Sequence, residues 1–413
     1  MDADVFDAKS STRLLRSRQY GAFWFASLLS NIGTWMQSVA EPWLVLSISG
    51  SSFLLGVDAF ATNAPFWILT LFGGVLADRR DRGKIIYFFQ GIQMLCPVLI
   101  VLLVASGLVQ VWMIIGLSLI VGITDALSMP AFSSLIPSIV SKSDLKPALA
   151  LNSIQFNLSR VIGPAIAGLI MLRFGPLWCF GANAASYAPF FLSVYWLRGL
   201  TKRSSPKEDV AENDSALHSI GAIIKDSQTG LALLSVLGTA LFCSPIIIFS
   251  PVIVRNVLHG DAGQFGGVLT AFGVGGLLAP ALILSTMKRF DTVKTSLTAA
   301  AAYGVLIIVA SRIDSIAHLA AVLVGSGFML TVANTSANTF LQSKATNLNR
   351  GQTASLFMLA MRGGMSIGNL VTGVIVSLSN VQTALIINGI LAMALQAWVY
   401  FRMTRAASGQ RSH

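Results

Sequence analysis

Hydrophobic and polar positions alternate along this chain on a long scale rather than residue by residue. Apolar runs of about 20 residues, long enough to cross a bilayer as a helix, are separated by short polar segments. Polar residues do not alternate with apolar ones inside the runs, as they would in the strands of a membrane barrel, so the pattern predicts helices. The twelve predicted spans, numbered 1 to 12 in chain order, are 20–47, 53–77, 85–106, 109–135, 147–171, 177–197, 229–254, 263–287, 295–311, 316–341, 353–377 and 382–401.

The longest polar stretch, 198–226, lies midway along the chain and separates six spans from six. The predicted organisation is a cytoplasmic tail (1–19), a six-helix bundle (20–197), a cytoplasmic central loop (198–228), a second six-helix bundle (229–401) and a cytoplasmic tail (402–413). The halves share features at an offset of roughly half the chain: Val121-Gly122 recurs as Val324-Gly325, and Arg160 as Arg362. An all-α membrane protein of two parallel six-helix repeats, with a site between them near mid-membrane, is a transporter architecture.

Composition and charge agree with a lipid-facing surface. The chain is 54% hydrophobic and only 11% charged, whereas soluble domains are about 25% charged. The net charge of +11 is gathered in the tails and in every second loop, so the positive-inside rule predicts that both termini are cytoplasmic. Apolar runs separate these basic clusters, which argues against a nucleic-acid surface. The three cysteines have no metal-ligand spacing, and we predict neither a metal nor a cofactor.

Span 1 carries polar residues at alternating spacings of four and three, which places them on one face of a helix: Ser27, Asn31, Thr34, Ser38 and Glu41. A charge inside a span costs about 2.5–3.5 kcal/mol and normally faces a partner or a wet cavity. Asp58 enters span 2 from the same predicted side. We predict that Glu41, together with Asp58, binds a transported proton, because burial beside a like charge makes a carboxyl group easier to protonate. The alternatives are a counter-charge for the substrate and a solvated helix end.

Two arginines occupy equivalent places in the two halves. Arg160 shares a face of span 5 with Asn157, and Arg362 lies in span 11. Arginine stays protonated and binds carboxylate or phosphate groups with two parallel hydrogen bonds, so we predict that both arginines line a substrate cavity. Asn334 in span 10 joins the predicted lining, with helix packing as its alternative. The alternative for the arginines is a role as gate residues bonded to helix ends.

The segment after span 2, GGVLADRRDRGKII, resembles the loop signature G-x-L-x-D-R-x-G-R-R of the major facilitator superfamily. The chain departs from that signature at Asp81, where the family has glycine, and at Gly83, where it has a basic residue. The phrases SNIGTWMQSVAEPWLV, NLSRVIGPAIAG and RGQTASLFMLAMRGG resemble the bacterial branch that includes siderophore and drug exporters.

The resemblance implies roles for two further groups of residues. The first is a latch that holds the two halves in the outward-open state, formed by Gly74, Asp78, Arg79, Arg82 and Asp125, in which Arg82 pairs with Asp125. The alternative is a basic loop that only sets topology. The second is Gly163, Pro164 and Gly168, which resemble the span 5 antiporter motif ending G-P-x-x-G-G, although Ala167 replaces one glycine and Ser159 another.

The function implied is proton-coupled efflux of a small amphiphilic molecule, such as a siderophore, drug or secondary metabolite, by alternating access. The expected partners are that small molecule, protons and the lipid bilayer of a bacterial inner membrane, and we expect a monomer that is not an enzyme. Two alternatives share the fold: a proton-linked importer of a siderophore or organic acid, and a sensor that transports nothing.

Overall fold

The computed structural model describes residues 8–141, 143–197, 221, 223–286, 291–346 and 349–409. Within these residues the secondary structure is helical throughout, with one five-residue π-helix. The helices are α1 (Ala8–Arg16), α2 (Tyr20–Ser49), α3 (Ser52–Asn63), α4 (Pro65–Arg79), α5 (Arg82–Ala105), α6 (Val111–Ile139), α7 (Leu145–Phe174), α8 (Leu177–Leu197), α9 (Ser227–Cys243), α10 (Pro245–Val252), the π-helix (Ile253–Val257), α11 (Ala262–Thr286), α12 (Thr292–Ala310), α13 (Ile316–Lys344), α14 (Arg350–Leu378) and α15 (Val381–Gly409). The predicted all-α fold is confirmed.

Ten segments of the described chain are long and apolar enough to cross a membrane. Two further helices that match predicted spans, α2 with 30 residues and α8 with 21, are long enough but fall outside these ten. Both carry polar side chains along one face, such as Gln37 in α2 and Asn183 in α8, which lower their mean hydropathy. The chain is thus a multi-pass membrane protein, and each predicted span overlaps one described helix or a run of consecutive helices.

Spans 2 and 7 were predicted as continuous helices, and the structure interrupts both at a proline. Span 2 breaks at Ala64, ahead of Pro65, where Trp67 N–H donates to the Ala64 carbonyl over a tightened turn. Span 7 breaks at Ser244, ahead of Pro245. Proline has no N–H to continue the helical hydrogen-bond pattern, so a new helix begins at each of these two prolines.

The first compact unit comprises 1–49, 68–206 and 261–270. In it α2 packs against α7 and α8, and α5 packs against α6 and α8. Aromatic side chains hold α2 to α7: the Tyr20 hydroxyl donates to the Ala148 carbonyl at 2.8 Å, and Trp24 Nε1 donates to the Leu151 carbonyl at 3.0 Å. Both aromatic residues are buried, so these bonds fix the two helices to each other.

The second compact unit comprises 50–67, 207–260 and 271–413. Here α12 packs against α13 and α15, while α14 packs against α9 and α3. Gln396 on α15 is buried and bonds both Ser235 and Thr239 on α9. The predicted domain boundaries stay predictions, and most of the predicted central loop lies outside the described residues.

The three cysteines lie in the interior of these units. Cys96, Cys179 and Cys243 are all buried and none forms a disulfide. Each is packed as a small apolar side chain.

Candidate functional site

Of the polar residues predicted to share a face of span 1, Ser27 is buried inside the first unit, and the other four are at least partly accessible on α2. Thr34 and Ser38 are exposed, and their hydroxyls bond carbonyls of their own helix, while Asn31 and Glu41 are half-buried. The opposite side of the helix exposes Phe25 and Leu29 instead. A span with an apolar accessible face and a polar accessible face is typical of a helix that separates lipid from water.

Glu41 accepts two hydrogen bonds from two different helices. Ser118 on α6 lies with Oγ 2.7 Å from Glu41 Oε1, and Gln37 on α2 donates from Nε2 to Glu41 Oε2 at 3.0 Å. Both donors are neutral and both are buried. The carboxylate is therefore stabilised by dipoles rather than by a fixed cation within the part of the chain that the structure describes.

The Gln37 side chain is itself held in one orientation. Asn183 on α8 donates from Nδ2 to Gln37 Oε1 at 2.6 Å. An amide whose oxygen accepts from Asn183 must present its NH₂ group to Glu41. Close packing supports this arrangement, because a side chain at Gly33 would collide with Asn183 and Ser186.

Arg160 on α7 lies against the aromatic side chains of the same unit. Its guanidinium carbon is 5.9 Å from the centroid of Trp35, which makes an edge-on contact with Phe156 at 5.9 Å. Arginine often lies over an aromatic face in this way, and its planar guanidinium stays positively charged there. Asn157, one turn before, donates to the Ser153 carbonyl of its own helix.

Arg362 on α14 has a different environment in the second unit. It donates from Nη1 to Asn63 Oδ1 at 3.1 Å, and its guanidinium carbon lies 4.7 Å from the centroid of Phe66. Asn63 is the last residue of α3, at the interruption of span 2, so Arg362 is bonded to a polar side chain in the interior of a predicted span. In the same unit Asp58 is 4% exposed and Asn334 is half-buried.

The structure describes the side chains of only some of the predicted latch residues. The side chains of Asp78 and Arg79 lie outside the described residues. Gln93 on α5 donates from Nε2 to Asp125 Oδ1 at 2.6 Å, and a Cβ at Gly74 would meet nothing within 4 Å. Arg82 is the first residue of α5. The predicted pairing of Arg82 with Asp125 stays a prediction.

Asp81, which departs from the family signature, caps the N-terminus of α5. Its side chain accepts from the Lys84 N–H at 3.1 Å, and its backbone is extended, as N-cap residues are. Asp291 does the same for α12, accepting from Val293 and Lys294. Both caps satisfy backbone donors that a helix start leaves unpaired.

The glycines of the span 5 motif allow backbones to approach closely. A Cβ at Gly163 would collide with Trp35, and one at Gly168 would lie 3.1 Å from the Cα atom of Gly266 on α11. Pro164 is buried inside α7. The three residues are thus packing positions in the first unit.

Sequence reasoning missed the partners of the charged residues. Gln37 lies four residues before Glu41, and residues at that spacing share a helix face. The contact between Gln37 and Glu41 could therefore have been predicted from the sequence. Ser118, Asn183 and Asn63 come from distant parts of the chain, and only the tertiary fold brings them to their partners.

The helical units and the polar face of a span fit the class that the sequence indicated, a secondary transporter of the major facilitator superfamily. A family model described as "Transmembrane secretion effector" matches residues 9–411, and the chain belongs to that family.

Similar proteins include transporters with named substrates. A staphyloferrin A transporter of Staphylococcus aureus is 23% identical over 385 residues, which cover 92% of this chain and 95% of that protein. The enterobactin exporter EntS of Citrobacter koseri is 25% identical over 260 residues, which cover 62% of this chain and 61% of that protein.

Solved structures share the fold at low identity. The nucleoside transporter NupG has a TM-score of 0.74 at 12% identity, over 94% of this chain and 99% of that one. A bacterial homologue of the iron transporter ferroportin in an inward-facing state has a TM-score of 0.70 at 15% identity, over 97% and 99%. At these identities the likeness shows the fold alone. The resemblance stated from the sequence is confirmed.

Proposed function

We propose that this protein exports a small anionic metabolite of the siderophore type in exchange for protons, by alternating access. The observation that carries the proposal is the setting of Glu41, a carboxylate inside a membrane span whose donors, Ser118 and Gln37, are both neutral. A carboxylate paired with a fixed cation would hold its charge across the working pH range. A carboxylate held by neutral dipoles, on the polar face of its helix, is able to accept and release a proton.

The substrate class rests on Arg160 and on the relatives. A guanidinium stacked on Trp35 offers a permanent positive charge beside an aromatic surface, which suits a planar anion such as a carboxylate or a catecholate. The staphyloferrin A and enterobactin transporters that resemble this chain support that class. Arg362, which is bonded to Asn63, fits a gate role better than direct substrate contact.

In the proposed cycle the proton and the substrate compete through charge. Protonation of Glu41 removes a negative charge from the polar face of α2, and this changes the electric field in the first unit, which also contains Arg160. Proton binding from outside then weakens the hold on the anion and favours its release. Asp58, buried on α3, remains the second predicted proton site. The predicted latch residues stabilise one of the two conformations of the cycle.

The test is substrate-driven proton movement in energised inside-out membrane vesicles. A pH-sensitive dye follows the gradient while hydroxycarboxylate and catecholate siderophores, cationic dyes and simple organic acids are added in turn. We expect a siderophore to dissipate the gradient with the wild type and with Asp314→Asn, a matched neutralisation at an exposed loop carboxylate. Glu41→Gln should abolish the effect.

Each other outcome removes a part of the proposal. Undiminished proton movement in Glu41→Gln removes Glu41 as the proton site. Uptake of a labelled siderophore into right-side-out vesicles, but not into inside-out ones, reverses the direction to import. Binding of the labelled compound with no transport in either orientation would indicate a sensor.

A further inference from the structure

We infer that Ser118 is a positioning residue for the proton on Glu41: its hydroxyl reverses from donor to acceptor when Oε1 is protonated. This inference rests on the proposed role of Glu41, and the geometry around the hydroxyl carries it. Ser118 Oγ lies 2.7 Å from Glu41 Oε1 and 3.0 Å from the Ile114 carbonyl oxygen. The single hydroxyl hydrogen therefore has two acceptors within reach.

The two oxygens of Glu41 are not equivalent. Oε2 faces the NH₂ group of Gln37, which has no acceptor lone pair to offer, and the Asn183 bond keeps that amide from turning over. Oε1 faces a hydroxyl that both donates and accepts. A proton on Oε2 would confront another donor, whereas a proton on Oε1 meets a lone pair of Ser118. The proton therefore binds at Oε1.

The step balances without any movement of heavy atoms. With Glu41 charged, Ser118 donates its hydrogen to Oε1. When a proton from water binds Oε1, a new O–H bond forms there and points at Ser118 Oγ. The Ser118 hydrogen stays on its own oxygen and turns to the Ile114 carbonyl. Glu41 keeps two hydrogen bonds in both states, so uptake and release of the proton leave no buried group unpaired.

Other titratable groups lie on the helices around this site. Cys96 on α5 is buried and interacts electrostatically with Glu41. The titratable or charged side chains on the helices packed against α2 are Asp125 on α6, Cys179, Tyr187 and Tyr195 on α8, Lys146, Arg160 and Arg173 on α7, and Arg13 and Arg16 on α1.

The experiment measures protonation of Glu41 directly in the purified full-length protein. A hydrophobic carbodiimide reacts with protonated carboxylic acids, and mass spectrometry of the Glu41 peptide gives the labelled fraction as a function of pH. Ser118→Ala removes a hydrogen bond from both states, but the bond donated to the charged carboxylate is the stronger one, so we expect the pH of half-labelling to rise by about one unit. Ser118→Thr keeps a hydroxyl and should retain the wild-type midpoint. The matched control is Thr124→Val, which removes a buried hydroxyl of α6 that bonds carbonyls of its own helix.

A second measurement tests the reversal itself. In infrared difference spectra between acidic and alkaline pH, the carbonyl band of protonated Glu41 should move to higher frequency in Ser118→Ala, because its O–H loses an acceptor. A shifted labelling midpoint with an unmoved band would leave Ser118 as a plain donor and overturn the inference. An unchanged midpoint, or an equal shift in Thr124→Val, would overturn it as well. Neither readout needs transport, so loss of proton coupling in vesicles would count against the proposed function alone.

Discussion

Gly168 on α7 and Gly266 on α11 touch backbone to backbone. A Cβ atom added at Gly266 would collide with the Cα and N atoms of Gly168 and lie 3.0 Å from the Pro164 carbonyl oxygen. Helices in membranes use small residues in this way to approach closely. Pro164 and Gly168 of the span 5 motif therefore pack against Gly266, which belongs to no motif recognised in the sequence.

Gly266→Ala should destabilise the protein, because the methyl group has only backbone atoms to displace. Overpacking of this kind costs about 1–3 kcal/mol, measured as a lower midpoint of thermal unfolding in detergent. The next residue supplies the control: a Cβ at Gly267 would meet nothing within 4 Å. Gly267→Ala should be neutral or stabilising by up to about 1 kcal/mol. Equal effects at both positions would contradict the packing argument.

Arg362 and Asn63 should be energetically coupled. Their hydrogen bond is to a charged donor, and such bonds contribute about 1.5–3 kcal/mol. In a double-mutant cycle of Arg362→Ala and Asn63→Ala on the free energy of unfolding, the second substitution should destabilise the protein less once the first is present. A cycle of Arg362→Ala with Thr298→Ala, an exposed position on α12, should be additive within about 0.5 kcal/mol. Additivity in both cycles would mean that the contact contributes nothing to the fold.

The cap at Asp81 should contribute measurably to the start of α5. Asp81→Ala removes an acceptor for the Lys84 N–H and should lower the free energy of unfolding by about 0.5–2 kcal/mol. Asp81→Asn keeps an acceptor oxygen and should cost little. The same pair of substitutions at Asp291 should behave alike. If Asp81→Asn were as damaging as Asp81→Ala, the charge rather than the cap would be responsible.

Docking of the first helix should depend on pH through Asp144. The Ser141 hydroxyl, followed by the Arg13 guanidinium at 2.5 Å, holds the pKa of the Asp144 carboxyl below its usual range. A lowered pKa in the folded state means that the stabilisation is present above the ordinary value, about 3.9, and is lost as the pH falls through the lowered one. Hydrogen exchange in α1, corrected for intrinsic rates, should therefore accelerate only below about pH 4.

Asp144→Asn should produce the same acceleration at neutral pH, since it removes the charge that Arg13 contacts. Ser143→Ala, a change of an exposed neighbour in the same loop, serves as the control and should leave α1 protected. Protection that is unaffected by Asp144→Asn would assign the docking of α1 to its buried Leu14 alone.

Most of the fold could be predicted because the bilayer constrains a sequence so strongly. Within the described residues the apolar runs are helical, although two of them are divided, and most of the polar face of α2 followed from helical spacing. The breaks at Pro65 and Pro245 were missed, although proline is the residue most apt to interrupt a helix. Asp81 was interpreted as a departure from a signature, yet an aspartate just ahead of a helix start is also a cap signal.

The sequence predicted which charged residues belong to the candidate site but not which side chains they bond. Glu41, Arg160 and Arg362 stood out because charge is expensive inside a membrane. Ser118 and Asn183 did not, since a serine or an asparagine within a span has many ordinary uses. Which neutral side chain meets which charge depends on tertiary packing, and separations such as that between Asn63 and Arg362 leave no local trace in one sequence.

The burial of all three native thiols makes this chain a ready template for site-specific probes. Cys96, Cys179 and Cys243 are each at most 2% exposed and unpaired, so maleimide or spin-label reagents in mild conditions should find little to react with in the folded protein. A single cysteine placed at Gly267 or Ser38 would then carry the whole signal. Motion during the transport cycle becomes accessible to fluorescence and electron paramagnetic resonance without first rebuilding the interior.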